Sequence, residues 1–232
     1  MDHLPEPSQL QQLTAGRLEK ERHRGALILD TRPTEKFASF HIVGSMQIGL
    51  MGSFSSWAAI LLRPSQRILL IAEDENSAQE AQSRLARVGL ENVDGYALAD
   101  KEQWQQTGIE LGSLPIYQCE DIRAPRADWP PQIIDVRSRA EWLQGQLSGA
   151  ISVPLLELNP RTRLIDPSRP IFVYCQDGYR ATIAASLLSR ECTGHIGILT
   201  GSVQELQACD TPPETPQVER SESSLRLIRR IP

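Results

Sequence analysis

One pattern occurs twice in this chain, and that duplication restricts the possible folds more than any other feature. Leu27-Ile28-Leu29-Asp30-Thr31-Arg32, then Glu35-Lys36-Phe37, then His41-Ile42-Val43-Gly44-Ser45 return one domain-length later as Ile133-Ile134-Asp135-Val136-Arg137, Glu141-Trp142 and Gly149-Ala150-Ile151-Ser152-Val153-Pro154. Asp30 aligns with Asp135, Arg32 with Arg137, Phe37 with Trp142 and Gly44 with Gly149. At 232 residues the chain has room for two domains of ordinary size, each able to bury a core.

Within the first copy, short apolar runs alternate with helical spacing. Strands are predicted over Ala26–Asp30, Ser45–Ile48, Arg67–Ala72 and Val93–Tyr96. Helices are predicted over Thr34–Phe40, Ser53–Leu61, Ser77–Val88 and Lys101–Gln106, with one more over Gln11–Arg24. Such alternation implies an α/β fold, in each copy a parallel sheet flanked by helices on both faces. Gly112-Ser113-Leu114-Pro115 closes the first copy, which places the domains at 10–114 and 115–210. From residue 211 to 232, proline and serine dominate and predict a disordered tail, ending in the basic and apolar Leu225–Ile231.

The chemistry concentrates in Ile171-Phe172-Val173-Tyr174-Cys175-Gln176-Asp177-Gly178-Tyr179-Arg180, where a buried strand ends at a cysteine and a short turn leads into a helix. Backbone N–H groups from Gln176 to Arg180, the helix terminus and Arg180 would all favour a thiolate at Cys175. A structural thiol would need neither Gly178 nor Arg180, and a ring of N–H groups is an anion site. Arg180 either pairs with charge on a ligand or ties the loop to the sheet, while Gln176 and Tyr179 are expected at the mouth.

In the first copy Ile68-Leu69-Leu70-Ile71-Ala72 falls on Ile171-Phe172-Val173-Tyr174-Cys175. Ala72 stands where the thiol should be, and Glu73-Asp74-Glu75-Asn76-Ser77 offers three carboxylates in place of glycine and arginine. That copy reads as catalytically inactive, its acidic loop repelling anionic ligands. Because Asp30 and Arg32 persist there, Asp135 and Arg137 are assigned to scaffolding.

Cys-x-x-Gly-x-Arg after a strand, with the Asp-Val-Arg, Glu-Trp and Gly-Ala motifs upstream, resembles the rhodanese family of sulfurtransferases, here as two tandem domains. The chain departs from the family's pattern at Gln146-Leu147-Ser148, where His-Ile is usual, and at Gly201-Ser202, where Gly-Gly is usual. The resemblance implies that Cys175 takes the sulfane sulfur of thiosulfate, a persulfide or a polysulfide, and passes it from a Cys175 persulfide to a thiol, sulfite or cyanide. It also implies that Gln176, Asp177, Gly178, Tyr179 and Arg180 hold the donor. The neutral-to-acidic Gln176-Asp177 tilts the expectation toward persulfides and polysulfides.

Met51-Gly52-Ser53-Phe54-Ser55-Ser56-Trp57 and the Cys-x-x-Gly-Tyr-Arg loop further look like the rhodanese half of fusions with a metallo-β-lactamase-type persulfide dioxygenase. The dioxygenase's metal motif is absent, so no cofactor and no iron are expected. A sulfur-relay or docking role beside such an enzyme, or beside a protein sulfur acceptor, is the alternative. Cysteine-dependent phosphatases share the strand–cysteine–loop–arginine order, but their loop is longer than the four residues from Gln176 to Tyr179, and Asp177 suits a phosphate poorly.

A net charge of −5 without a basic stripe argues against nucleic acid. Cys119, Cys175, Cys192 and Cys209 show no Cys-x-x-Cys spacing, which reads as a reducing, cytoplasmic setting. His3, His23, His41 and His195 form no ligand cluster, so no metal site is expected, and His41 is read as a loop residue. No leader and no transmembrane segment are expected.

Overall fold

The computed structural model of the protein describes residues 10–118, 121, 131–159, 163–192 and 194–210. The tail expected over 211–232 and Cys119 lie outside these residues. The first half runs α1 (Ala15–His23), β1 (Leu27–Asp30), α2 (Thr34–Ser39), β2 (His41–Ile42), β3 (Met46–Gln47), α3 (Phe54–Leu61), β4 (Ile68–Ala72), α4 (Glu75–Ala86), β5 (Val93–Leu98), α5 (Lys101–Gln106) and β6 (Leu111–Gly112). The second runs β7 (Ile116–Tyr117), β8 (Gln132–Asp135), α6 (Arg139–Leu143), β9 (Ile151–Ser152), a 3₁₀ turn at Leu155–Glu157, β10 (Ile171–Tyr174), α7 (Tyr179–Leu188), β11 (Ile196–Leu199) and α8 (Val203–Asp210).

Each half builds a parallel sheet, ordered β3-β1-β4-β5 in the first and β7-β11-β10-β8-β9 in the second. The central strands β4 and β10 are buried at every residue, as strands covered on both faces must be. Parallel strands put their carboxyl ends on one edge, so Ala72 and Cys175 take equivalent places in the two sheets.

Four local features depart from the sequence reading, the first being that α1 begins at Ala15, four residues after the expected start, behind the Thr14 cap. His41 lies in β2, which pairs antiparallel with β6, and its ring stacks on Phe37 at 4.1 Å while Nδ1 meets the Phe37 carbonyl at 3.0 Å. Burial pushes the His41 imidazole below its ordinary range. Helix α4 begins at Glu75, two residues before the expected start, because the Asp74 carboxylate accepts the Ser77 N–H at 2.7 Å and caps the helix. Cys209 is disulfide-bonded, whereas Cys175 and Cys192 are free thiols, so spacing along the chain did not report which sulfurs the fold engages.

Each half buries an apolar cluster of its own, around Leu69 and Trp104 in the first and around Phe172 and Leu199 in the second, and a larger cluster is shared. The shared cluster runs from Phe37, Phe54 and Leu70 in the first to Val136, Val173 and Ile183 in the second. Helix α7 lies at its centre, with Ala181 through Ser186 all buried. Among the described residues no helix is long and apolar enough to cross a membrane.

Candidate active site

Cys175 follows the last residue of β10 and is 1 % exposed. The chain then turns through Gly178, whose φ of +82° is a left-handed conformation that a side chain would strain, and α7 begins at Tyr179. Gly178 is therefore required by the turn that brings the helix N-terminus under the sulfur. The Ala181 N–H reaches Sγ at 3.4 Å, and the thiol donates to Asp177 Oδ1 at 3.5 Å. The same Oδ1 accepts the Tyr179 N–H at 3.1 Å, which fixes the carboxylate beside the sulfur.

The electrostatics at the sulfur pull in both directions. Burial pushes the Cys175 thiol up, against the N–H groups of Asp177 and Ala181, and the Asp177 charge adds to the rise while Arg180 opposes it. Arg180 is already committed: its two terminal nitrogens donate to Glu141 at 2.8 and 2.7 Å. Of the two roles left open for Arg180, the geometry displays the tie, which joins the loop to α6. Glu141 is the third residue of that helix and completes a capping box, its carboxylate accepting the Ser138 N–H at 2.9 Å. Hydrogen bonding from Arg180 holds the Glu141 carboxyl down at about 2, against the opposing effect of burial.

Tyr179 is part-buried and turns toward the first half. Its hydroxyl donates to the Gly49 carbonyl of the first half at 2.8 Å, and its ring closes on Gly52 so tightly that a Cβ there would lie 3.1 Å from it. Burial pushes the Tyr179 phenol up to about 12. Further along α7, Thr182 Oγ1 meets Thr34 Oγ1 at 3.0 Å, and Ser186 Oγ accepts the Gln47 N–H at 3.0 Å, satisfying a donor on the edge strand β3. The helix that starts under the sulfur is thus pinned to the other half at three points along its length. Gln176 and Asp177 are exposed beside the buried sulfur.

Asp135 and Arg137 lie one layer behind. Arg137 donates to Asp135 at 3.0 and 2.7 Å and to the Gly145 carbonyl at 2.7 Å; Arg32 donates to Asp30 at 2.9 and 2.6 Å and to the Phe40 carbonyl at 2.9 Å. The two constellations make the same set of hydrogen bonds. One addition distinguishes the second half: the Tyr174 hydroxyl donates to Asp135 Oδ2 at 2.6 Å, tying the residue before Cys175 to the buried pair.

The first half differs at the corresponding edge by more than a side chain. Ala72 is fully buried, only Glu73 and Asp74 separate it from α4, and no left-handed turn intervenes. Three residues, Gln176, Asp177 and Gly178, do that work between Cys175 and α7.

The profile of the rhodanese-like domain matches residues 14–98 and again residues 119–209. The chain belongs to the rhodanese-like family. It carries two such domains in tandem. It is 30% identical to the putative mitochondrial thiosulfate sulfurtransferase of Schizosaccharomyces pombe over 107 residues, 39% of this chain and 75% of that protein. It is 38% identical to the uncharacterized protein YqhL of Bacillus subtilis over 63 residues, 27% of this chain and 50% of YqhL. The crystal structure of thiosulfate sulfurtransferase from Pseudomonas aeruginosa is similar at 21% identity and a TM-score of 0.38, covering 88% of this chain and 43% of that one. The chain thus spans half the length of YqhL and less than half of the Pseudomonas enzyme. Within this rhodanese pair, the cysteine-bearing strand, turn and helix occur only in the second domain.

Proposed function

We propose that this protein is a sulfurtransferase whose second domain moves sulfane sulfur through a Cys175 persulfide. The observation that carries the reading is the asymmetry between two otherwise matching domains: a thiol on a glycine-turned loop at a helix N-terminus in one, and a sealed alanine in the other. Cys175 attacks the outer sulfur of a persulfide, polysulfide or thiosulfate, and the donor's remaining thiolate or sulfite departs. The resulting anionic persulfide is stabilised by the N–H groups of Asp177 and Ala181. A thiol, sulfite or cyanide then accepts the outer sulfur, so turnover is ping-pong and needs no cofactor. Gln176 and Asp177 face the donor; Gly178 shapes the turn; Tyr179 and Arg180 support it through Gly49 and Glu141; Asp135 and Arg137 are scaffold.

A second reading, a sulfur relay docked to a partner such as a persulfide dioxygenase or a protein acceptor, has a specific observation in its favour. Met51, beside the Gly52 that Tyr179 covers, is 79% exposed, and Leu156, just beyond the carboxyl end of β9, is 67% exposed. Incubation with thiosulfate or glutathione persulfide, followed by intact mass measurement, tests the shared step. One sulfur atom should appear on Cys175 and be removed by cyanide; an unchanged mass with both donors would refute it.

A further inference from the structure

The reaction just proposed leaves a proton unaccounted for. In the resting structure Cys175 is a buried thiol, and its S–H points at Asp177. Attack on a donor persulfide, written in full, is Cys175–SH + R–S–S⁻ → Cys175–S–S⁻ + R–SH. The bond from Cys175 Sγ to the donor's outer sulfur forms as the donor's S–S bond breaks. The electron pair of that bond departs with the inner sulfur, and the thiol proton must travel the same way.

Among the described residues, the polar partners of Sγ are the N–H groups of Asp177 and Ala181 and the Asp177 carboxylate, and only the carboxylate can accept a proton. The nearest other charges are locked together, since Arg180 and Glu141 satisfy each other through two hydrogen bonds. Asp177 is exposed while Cys175 is buried, so its carboxylate stands between the sulfur and the side from which a donor arrives. Tyr179 N–H anchors Oδ1, the same oxygen that the thiol addresses.

We infer that Asp177 is a catalytic proton carrier, taking the Cys175 proton as the sulfur attacks and delivering it to the departing thiolate. The inference rests on the sulfurtransferase reading above and adds a donor preference to it. An alkyl thiolate is a strong base and leaves well only if protonated, whereas sulfite is a weaker base and leaves as the anion. The relay therefore favours persulfides of ordinary thiols over thiosulfate. Its effect falls within the 10²- to 10⁴-fold range of positioned acid–base groups, roughly.

The test is Asp177→Asn, which keeps an oxygen to accept the Tyr179 N–H, with Asp177→Ser as a second variant on the same exposed position. Sulfur loading of Cys175 is timed by intact mass with three donors of rising leaving-group basicity: an aryl persulfide, thiosulfate and glutathione persulfide. In the unaltered protein the rate should depend weakly on the leaving group. In the variants it should fall steeply along the series, with glutathione persulfide losing on the order of 10²-fold and thiosulfate at least tenfold less. Equal losses with all three donors would assign Asp177 to loop geometry alone, and no loss would remove it from the reaction; either result overturns the inference. Failure of the unaltered protein to load from any donor would instead sink the sulfurtransferase reading itself.

Discussion

Arg180 grips Glu141 through two parallel hydrogen bonds of 2.8 and 2.7 Å, joining the first turn of the helix behind Cys175 to the first turn of α6. A guanidinium so engaged orders the loop instead of offering a free charge to a ligand. Because Glu141 also closes the capping box on Ser138, one carboxylate sets the start of α6 and the position of the sulfur loop together.

That carboxylate makes the loop acid-sensitive in a defined window. The folded-state pKa of Glu141 is depressed to about 2, so its contribution is complete above the ordinary carboxylate range and is lost as pH falls through about 2. The pair is partly exposed, which limits its contribution to ~1 kcal/mol. Glu141→Gln should lower the melting temperature at neutral pH by about 2 to 4 °C and leave little difference from the unaltered protein near pH 2. Equal destabilisation at both pH values would contradict the assignment.

Cys175→Ser should abolish sulfur transfer and leave the fold unchanged by circular dichroism, because the replacement is nearly isosteric. Iodoacetamide alkylation of Cys175 in the resting protein should titrate above the ~8.5 of a free cysteine. Burial raises this group, so the native state favours the thiol. Its stabilising contribution is present at lower pH and declines as pH rises through the free and then the folded value. A midpoint below that of a free cysteine would mean that the sulfur rests as a thiolate.

Disturbing the contact between Tyr179 and the first domain should be felt in the second. Tyr179→Phe removes the hydrogen bond to Gly49 and should cost ~1 kcal/mol. Gly52→Ala adds a Cβ against the Tyr179 ring at a φ of +101° and should cost ~2 kcal/mol. Both should also slow sulfur loading of Cys175, measured by intact mass. Loading at the native rate in a stably folded Gly52→Ala protein would show that the contact serves stability alone.

Restoring a thiol to the first domain should not restore chemistry. Ala72→Cys in a Cys175→Ser background should give no transfer, since Glu73 and Asp74 run straight into α4. Replacing Glu73-Asp74 by Gln-Asp-Gly, one residue longer, supplies the left-handed turn and should recover measurable loading. Activity from Ala72→Cys alone would show that the turn is dispensable.

Much of this architecture was legible in the sequence because the signals are local. Apolar runs such as Ile68–Ala72 and Ile171–Tyr174 specify buried strands, and Gly178 after a cysteine marks a turn that only glycine tolerates well. The two-residue strands β2, β6 and β7 carry no such signal, since segments that short are defined by what pairs with them. The same holds at the site. Ser138-x-x-Glu141 is visible as a capping box, yet nothing in it names Arg180 as the partner. Tyr179 reads as a mouth residue because its distance from Cys175 is short along the chain, while its direction is decided by Gly49 and Gly52 in the other domain. The acidity of Cys175 is only half legible for a related reason: helix and arginine are read from spacing, but desolvation depends on everything packed around the sulfur.

The burial of α7 explains why a domain without its cysteine should survive at all. Ala181 through Ser186 form a small, largely apolar surface that is buried partly against β10 and β11 of its own sheet and partly against α2 and β3 of the first domain. Excising that domain would bare the part of this surface it covers and leave an aggregation-prone half-molecule. Substitutions should therefore be tolerated at Glu73–Asn76 more readily than at Thr34, Gln47 or Gly49, which hold the second domain's helix.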